Sequence, residues 1–320
     1  LHGHGGHHLE TARDDIELDY GRATWTTPLG AFGDTLLVEL QRGCVKGCRF
    51  CTLTYCFSPV RTRDVNLVKR DIKEANGLCD FSQVGLVTPE AGDYADLGEL
   101  LDLAEQLGKG ISFASLRVEG LSERMIKALV SRGRHSLTVA PESGDDSLRE
   151  RCGKRFTNRD LIEKLEMAAG FGAKSAKMYF MFGLPGETEE QLLSISKLCA
   201  LAREKTGMKV TAAVSPFVPK PRTPWGEEVF DGEKKLKAKY SLISRSFGTP
   251  GVKLQGGSVK EACAEHAISW AGTEASELIA GMASPKISYR KLEGLTDKSG
   301  VYAELERLGL RGSHKLKGGV

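Results

Sequence analysis

From residue 35 onward, short apolar runs alternate with longer amphipathic stretches, and this alternation restricts the fold more than any other feature of the chain. The runs are LLVEL (36–40), QVGLVT (83–88), ISFASL (111–116), SLTVA (136–140), KMYFMF (177–182) and VTAAVS (210–215). Strands of a parallel sheet are covered on both faces and read as near-continuous apolar runs. The stretches between them, 64–78, 96–108, 121–133, 157–172 and 188–207, carry helical periodicity and stop signals. Ser122 opens the third and Gly133 closes it, and Thr157 caps the fourth. In the fifth, Thr188 and Gln191 form a Thr-x-x-Gln capping box and Gly207 ends the helix. Six such units in about 190 residues predict an α/β fold, either a complete or partial barrel or a doubly wound open sheet. A barrel would place function at the C-terminal ends of its strands.

The 320 residues, 40% hydrophobic, suit one large domain or a domain with an appendage. The expected division is an N-terminal extension over 1–34, a core over 35–228 and a small, mainly helical C-terminal subdomain over 229–320. In the last of these, 233–247 and 258–282 look helical and 311–320 looks disordered. The opening HGHGGHH has no preorganised geometry and is set aside as a flexible segment. The chain starts on Leu1, which reads as a fragment of a longer protein. A net charge of +3 makes no case for a nucleic-acid or membrane surface, and no run of 18 apolar residues is present. No secretory signal opens the chain, and eight cysteines without regular pairing do not form a secreted disulfide scaffold. A cytoplasmic protein is expected.

The stretch GCVKGCRFCTLTYC, 43–56, gathers four of those cysteines. Cys44, Cys48 and Cys51 follow the first predicted strand in a loop loosened by Gly43 and Gly47, at the C-terminal edge of the sheet. Thiolates at this density hold zinc or an iron–sulfur cluster, and a disulfide in so short a loop does not suit the compartment. Three thiolates can hold three irons of a [4Fe–4S] cube and leave the fourth open for a ligand. Cys56 as a fourth ligand would close the cluster and make an electron-transfer protein. Zinc is the third reading, although no second C-x2-C or His pair follows at suitable spacing. Cys79, Cys199 and Cys263 read as buried, reduced thiols.

C-x3-C-x-aromatic-C, here CVKGCRFC with Phe50 before the last cysteine, resembles the signature of the radical SAM superfamily. The resemblance covers residues 35–228 and is nearest the branch of methylthiotransferases and cobalamin-dependent enzymes, including uncharacterised members. It implies a partial (β/α)6 TIM-like barrel with a [4Fe–4S] cluster on Cys44, Cys48 and Cys51. It also implies S-adenosylmethionine (SAM) at the open iron, cleaved to methionine and a 5′-deoxyadenosyl radical with electrons from an external donor. Glu90 in VTPEAGDY stands where the family meets the SAM amino group, although Thr88-Pro89-Glu90 replaces the usual Gly-Gly-Glu-like segment. Glu142 in VAPESG matches the carboxylate that holds the ribose hydroxyls. The resemblance sets Phe50 next to the adenine, and FMFGLPGETEEQ (180–191), with Phe182 and Gly183, resembles the fifth-strand motif whose backbone lies along it. Ser115 and Arg117, at the end of the third strand, are further cofactor contacts, and Arg117 would orient the SAM carboxylate by a bidentate fork. SPFVPKPRTPWGE (215–227) resembles the end of the last core strand. Methyl or methylthio transfer is the chemistry of that branch. No Asp-x-His-x-x-Gly sequence occurs here, so cobalamin would come through a domain absent from this chain. The substrate, small or macromolecular, has no readable code.

Plainer readings stand beside these. Glu142 would cap the helix that follows, Arg117 would pair with Glu119 or Glu142, and Glu187 would support its turn. Lys177, in an apolar strand, needs a partner or a polar cavity. Tyr55, Cys56 and Phe57 would pack over the cluster loop, and His266, four residues before Trp270, would belong to the core. Lys220 and Arg222 of PKPR would form a solvated edge or meet an anionic substrate.

Overall fold

The computed structural model describes residues 26, 27, 29, 31–114, 116–130 and 136–271. In chain order its strands are β1 (Thr35–Glu39), β2 (Gln41–Arg42), β3 (Arg61–Thr62), β4 (Gln83–Val87), β5 (Gly110–Phe113), β6 (Ser136–Glu142), β7 (Ser175–Phe182), β8 (Lys209–Pro216) and β9 (Val252–Gly256). The α-helices are α1 (Thr52–Cys56), α2 (Val65–Leu78), α3 (Leu97–Gln106), α4 (Glu123–Val130), α5 (Asp146–Arg151), α6 (Asn158–Gly170), α7 (Glu189–Thr206), α8 (Gly232–Ser246) and α9 (Val259–Trp270).

The strands β1–β4–β5 form one sheet and β6–β7–β8–β9 a second, and every pairing in both is parallel. Parallel neighbours need a crossover, and the helices supply one between the two strands of every parallel pair. The result is a partial TIM-like barrel. The six expected strands are all present. The strand–helix rhythm, expected to end with the core at residue 228, continues instead: α8 leads to β9, which lies parallel to β8 as a seventh strand. Leu236 and Ile243 of α8 and Ala262 and Cys263 of α9 enter the same apolar core as the preceding units. Residues 1–25, Gly133 and 272–320 lie outside the described residues.

Local signals explain where the helices begin. Thr188 accepts from the N–H of Gln191 and the Gln191 side chain returns to the N–H of Thr188; Gly207 ends the helix at φ +67°. Thr157 and Asp160 make the same box on α6. Asp64 caps α2 through the N–H groups of Asn66 and Leu67. One face of each interior strand of the second sheet is buried against the helices. On β7 these residues are Ala176, Met178, Phe180 and Phe182, and the last two are 1% and 0% exposed. Each such phenylalanine contributes roughly 1.5–3 kcal/mol by leaving water. His266 is buried and stacked on Phe230 at 4.4 Å, as a core residue. No helix among the described residues is long and apolar enough to cross a membrane.

Candidate functional site

The cysteine loop leaves the top of β1 and is closed at its base by the β2–β3 ribbon, where Gln41 faces Thr62 and Arg42 faces Arg61. Gly43, at φ +86°, is needed there: a Cβ would lie 2.5 Å from the carbonyl oxygen of Phe57. Cys48 is buried, Cys44 and Cys51 are half-buried, and Cys51 is the residue before α1. Burial raises the Cys51 thiol above its usual range, and Cys48, Cys44 and Glu142 add to that. Glu142 and the other two motif cysteines are thus near enough to Cys51 to act on it through their charge.

The loop is held by polar ties to four other barrel-top segments. Lys46 Nζ meets Asp93 at 2.6 Å. Arg117 Nη1 donates to Cys48 Sγ at 2.9 Å. The N–H of Arg49 donates to the Cys152 carbonyl and the N–H of Trp225 to the Arg49 carbonyl, both at 3.0 Å. Gly153, at φ +89°, packs so closely that a Cβ would sit 2.9 Å from the Gly47 carbonyl oxygen. Among the described residues no three His, Cys, Asp or Glu side chains converge on one point as a single-ion site would require. A [4Fe–4S] cube makes a different demand, one thiolate per iron and hence separated sulfurs.

Glu90 is 2% exposed. Its Oε1 accepts from the N–H of Gly92 at 3.0 Å, while Oε2 is buried without a hydrogen-bond partner. Burial pushes this carboxyl above the usual carboxylate range. Gly120 makes the room, since a Cβ there would lie 2.7 Å from Oε1. Glu90 and Cys44 line one cavity of about 320 Å³ with Gln41, Gly43 and Pro89. An orphaned buried oxygen beside a motif cysteine fits the ammonium of an amino acid bound there.

Glu142 is buried at the end of β6 with φ +63°, a conformation that costs about 1–3 kcal/mol in a non-glycine residue. It does not cap the next helix. Asp145 does, accepting from the N–H of Leu148 at 2.8 Å. Glu142 Oε1 instead accepts from Lys154 Nζ at 2.6 Å, and the same ammonium donates to the Ala140 carbonyl. Arg149, fully buried, pins the turn through the carbonyls of Pro141 at 3.2 Å and Ser143 at 2.7 Å. Lys154, Arg149 and Cys152 were not legible in the sequence. The nearest signal is the run RERCGKR (149–155), whose partners lie too far along the chain to be read locally.

Arg117 is already engaged: besides Cys48 it donates to Glu119 Oε1 at 2.8 Å, the ion pair of the plainer reading. The Phe182 ring points to the helices and meets Tyr240 at 6.0 Å between centroids, so the part of this residue left toward the barrel is its backbone. The N–H of Gly183 donates to Glu187 Oε2 at 2.8 Å, so Glu187 does support the turn. Phe50 packs on a small second core of Leu148, Cys152, Leu184, Phe217 and Trp225. Ser115 lies outside the described residues. Cys56 is half-buried at the end of α1. Tyr55 and Phe57 remain partly exposed instead of packing down, with the Tyr55 hydroxyl donating to the Gly47 carbonyl. Lys220 pairs with Glu265 and Ser269. Burial raises the Cys199 thiol to about 12 and the Cys263 thiol to about 11, as for inert core cysteines.

The family model of the radical SAM superfamily matches residues 38–199, about half of the chain. An uncharacterized protein of Methanocaldococcus jannaschii is 32% identical over 237 residues, 74% of this chain and 52% of that protein. A tRNA-2-methylthio-N(6)-dimethylallyladenosine synthase of Anaplasma phagocytophilum is 26% identical over 233 residues, 67% of this chain and 51% of that protein. The chain thus spans about half the length of these curated relatives. Among solved structures, Streptococcus suis SuiB bound to precursor peptide SuiA superposes with a TM-score of 0.50 at 14% identity, over 72% of this chain and 51% of that chain. That likeness concerns the fold alone. A cysteine signature on a loop above the first strand of a partial barrel, matched by the family model and by a relative at this identity, has one meaning: the chain belongs to the radical SAM superfamily.

Proposed function

We infer that this chain is the radical-generating part of a cytoplasmic radical SAM enzyme. The observation that carries the reading is the shared cavity of Cys44 and Glu90, with the partnerless Glu90 Oε2 beside the cysteine loop. When bound, the cluster and SAM supply one-electron cleavage to methionine and a 5′-deoxyadenosyl radical, fed by an external electron donor. Cys44, Cys48 and Cys51 hold the cluster. Glu90 Oε2 accepts from the amino group of SAM. Glu142, fixed by Lys154, accepts the ribose hydroxyls, and its left-handed backbone is the strain such a placement stores.

Arg117 holds the Cys48 sulfur in place and brings positive charge to that edge of the cluster. Phe50 and the backbone of Phe182 and Gly183 flank the adenine and exclude water. Similarity to a tRNA methylthio synthase supports methyl or methylthio transfer as the onward reaction. Cobalamin, where used, is held outside this chain.

The test is anaerobic reconstitution with iron and sulfide, reduction with dithionite and addition of SAM. The expected product is 5′-deoxyadenosine, formed by the wild type and abolished in Cys48→Ala. An iron-loaded protein that releases no 5′-deoxyadenosine overturns the reading.

A further inference from the structure

The barrel's second sheet has an inner face that a closed barrel would fill with branched apolar side chains. Here that face is polar. The registers place Thr138 of β6, Lys177 of β7, Thr211 of β8 and Lys253 of β9 in one row. Neighbours in a row share a face, and this is the one opposite Leu137, Met178 and Ala212, which are buried under the helices. In the next row stand Tyr179, Ala213 and Gln255. None of the four side chains in the first row has a hydrogen bond or ion pair among the described residues. Lys177, on an interior strand, has only the Tyr179 ring, 4.9 Å from its ammonium. Thr138 and Lys253 are exposed, and Lys177 and Thr211 are half-buried.

The charge of this face is one-sided. Its described residues on β6 to β9 include lysines and hydroxyls below the rim, and the only acid of these strands is Glu142, already paired with Lys154 at the top of β6. Across the barrel, Glu39 on the face of Leu37 is neutralised by Arg42, 2.8 Å away on both oxygens. A lone lysine on edge strand β9 would merely discourage edge pairing. That reason does not apply to Lys177, which lies between β6 and β8. Two ammoniums two strands apart, about 10 Å between backbones at the usual strand spacing, can reach one group between them.

We propose that this row is a substrate subsite that binds a phosphate group, carried into the barrel by the molecule the enzyme modifies. Ammoniums with free rotation suit a tetrahedral, multi-oxygen dianion, whereas a planar carboxylate is better matched by the fork of an arginine, and this face has none. The two threonine hydroxyls supply further donors to the same oxygens. The proposal deepens the reading above by assigning a chemical class to the substrate, and it rests on that reading for calling the ligand a substrate.

The test is calorimetric titration of inorganic phosphate into the reconstituted full chain, with succinate as a parallel arm and each repeated in saturating SAM. Lys177→Gln, Lys253→Gln and the double variant are compared, with thermal melts to verify folding. Because Lys253 is exposed, its single variant retains the fold even where Lys177→Gln does not. The expected result is phosphate binding that SAM leaves unchanged, severalfold weaker in Lys253→Gln and at least tenfold weaker in the folded double variant. Absence of phosphate binding, binding indifferent to the Lys253 substitution, or displacement by SAM overturns the subsite. Succinate binding as tightly as phosphate overturns the choice of phosphate. No turnover is measured, so a chain that binds phosphate here but fails to cleave SAM breaks only the radical reading, and the converse result breaks only the subsite.

Discussion

The cysteine loop and the wall of strands β6–β9 sit side by side and are held by different forces. The wall is fastened by burial: Met178, Phe180, Phe182 and Val214 interlock with Leu192, Ile195 and Leu236 of the helices behind them. The loop has little of this. Not one residue of α1 is buried, and Val45 is 71% exposed. Its position comes from hydrogen bonds, one ion pair and glycines that let backbones touch. Apolar burial is non-directional and large in sum, whereas polar ties are directional and individually worth about 0.5–1.5 kcal/mol. The wall therefore decides whether the chain folds, and the loop decides whether its sulfurs are aimed.

That contrast can be broken at four points. Phe180→Ala empties a fully buried position and is expected to cost about 3–5 kcal/mol in urea denaturation, with the cysteine ties unaltered in whatever remains folded. A loss below about 1 kcal/mol would mean the wall is not the structural base.

Glu187 is the exception within the wall, a carboxyl buried beneath the β7–α7 turn. Burial raises it to about 7, against the pull of Lys239 and the Gly183 N–H. A carboxyl with a raised folded-state pKa favours the folded protein most when protonated. Stability is therefore expected to fall as pH rises from about 4.5 to about 7, by roughly 1–3 kcal/mol. Glu187→Gln keeps an acceptor for Gly183 and should flatten that slope. Urea midpoints at pH 5 and pH 8 decide it, and parallel slopes in both proteins would show that this carboxyl does not titrate in that window.

Gly153→Ala strains a backbone at φ +89° and drives a methyl into the Gly47 carbonyl. It should cost about 1–3 kcal/mol locally, seen as a lower iron content after reconstitution while the urea midpoint moves little. A matching fall in both would fuse loop and wall into one unit. Lys46→Met, which removes the half-exposed pair with Asp93, is expected to change global stability by less than about 1 kcal/mol. Its effect should appear as faster proteolysis within 43–60, and an unchanged digest would remove this tie from the set that aims the loop.

Much of the wall and the loop's identity were legible in the sequence, because both are local patterns. Apolar runs announced six strands, Thr188 and Gly207 bounded a helix, and three cysteines at fixed spacing announced the cluster loop. The seventh strand, VKLQG, escaped because an edge strand half open to solvent does not read as an apolar run. Motif spacing gives only the position of Phe182 along the chain, where its backbone is expected to meet a cofactor, and period-two alternation sends its ring to the helices. Lys154 on Glu142 and Arg117 on Cys48 join residues 12 and 69 positions apart, and nothing local encodes such pairs. The row of Thr138, Lys177, Thr211 and Lys253 exists only once four strands are in register.

The central claim is that three cysteines, not four, hold a cluster open to SAM, and the variant Cys56→Ala tests it most directly. Electron paramagnetic resonance of the reduced, reconstituted protein should show a [4Fe–4S] signal that SAM alters equally in wild type and Cys56→Ala, with no cluster in Cys48→Ala. Loss of the cluster in Cys56→Ala, or a wild-type signal indifferent to SAM, would contradict the account and leave a closed electron-transfer centre in its place.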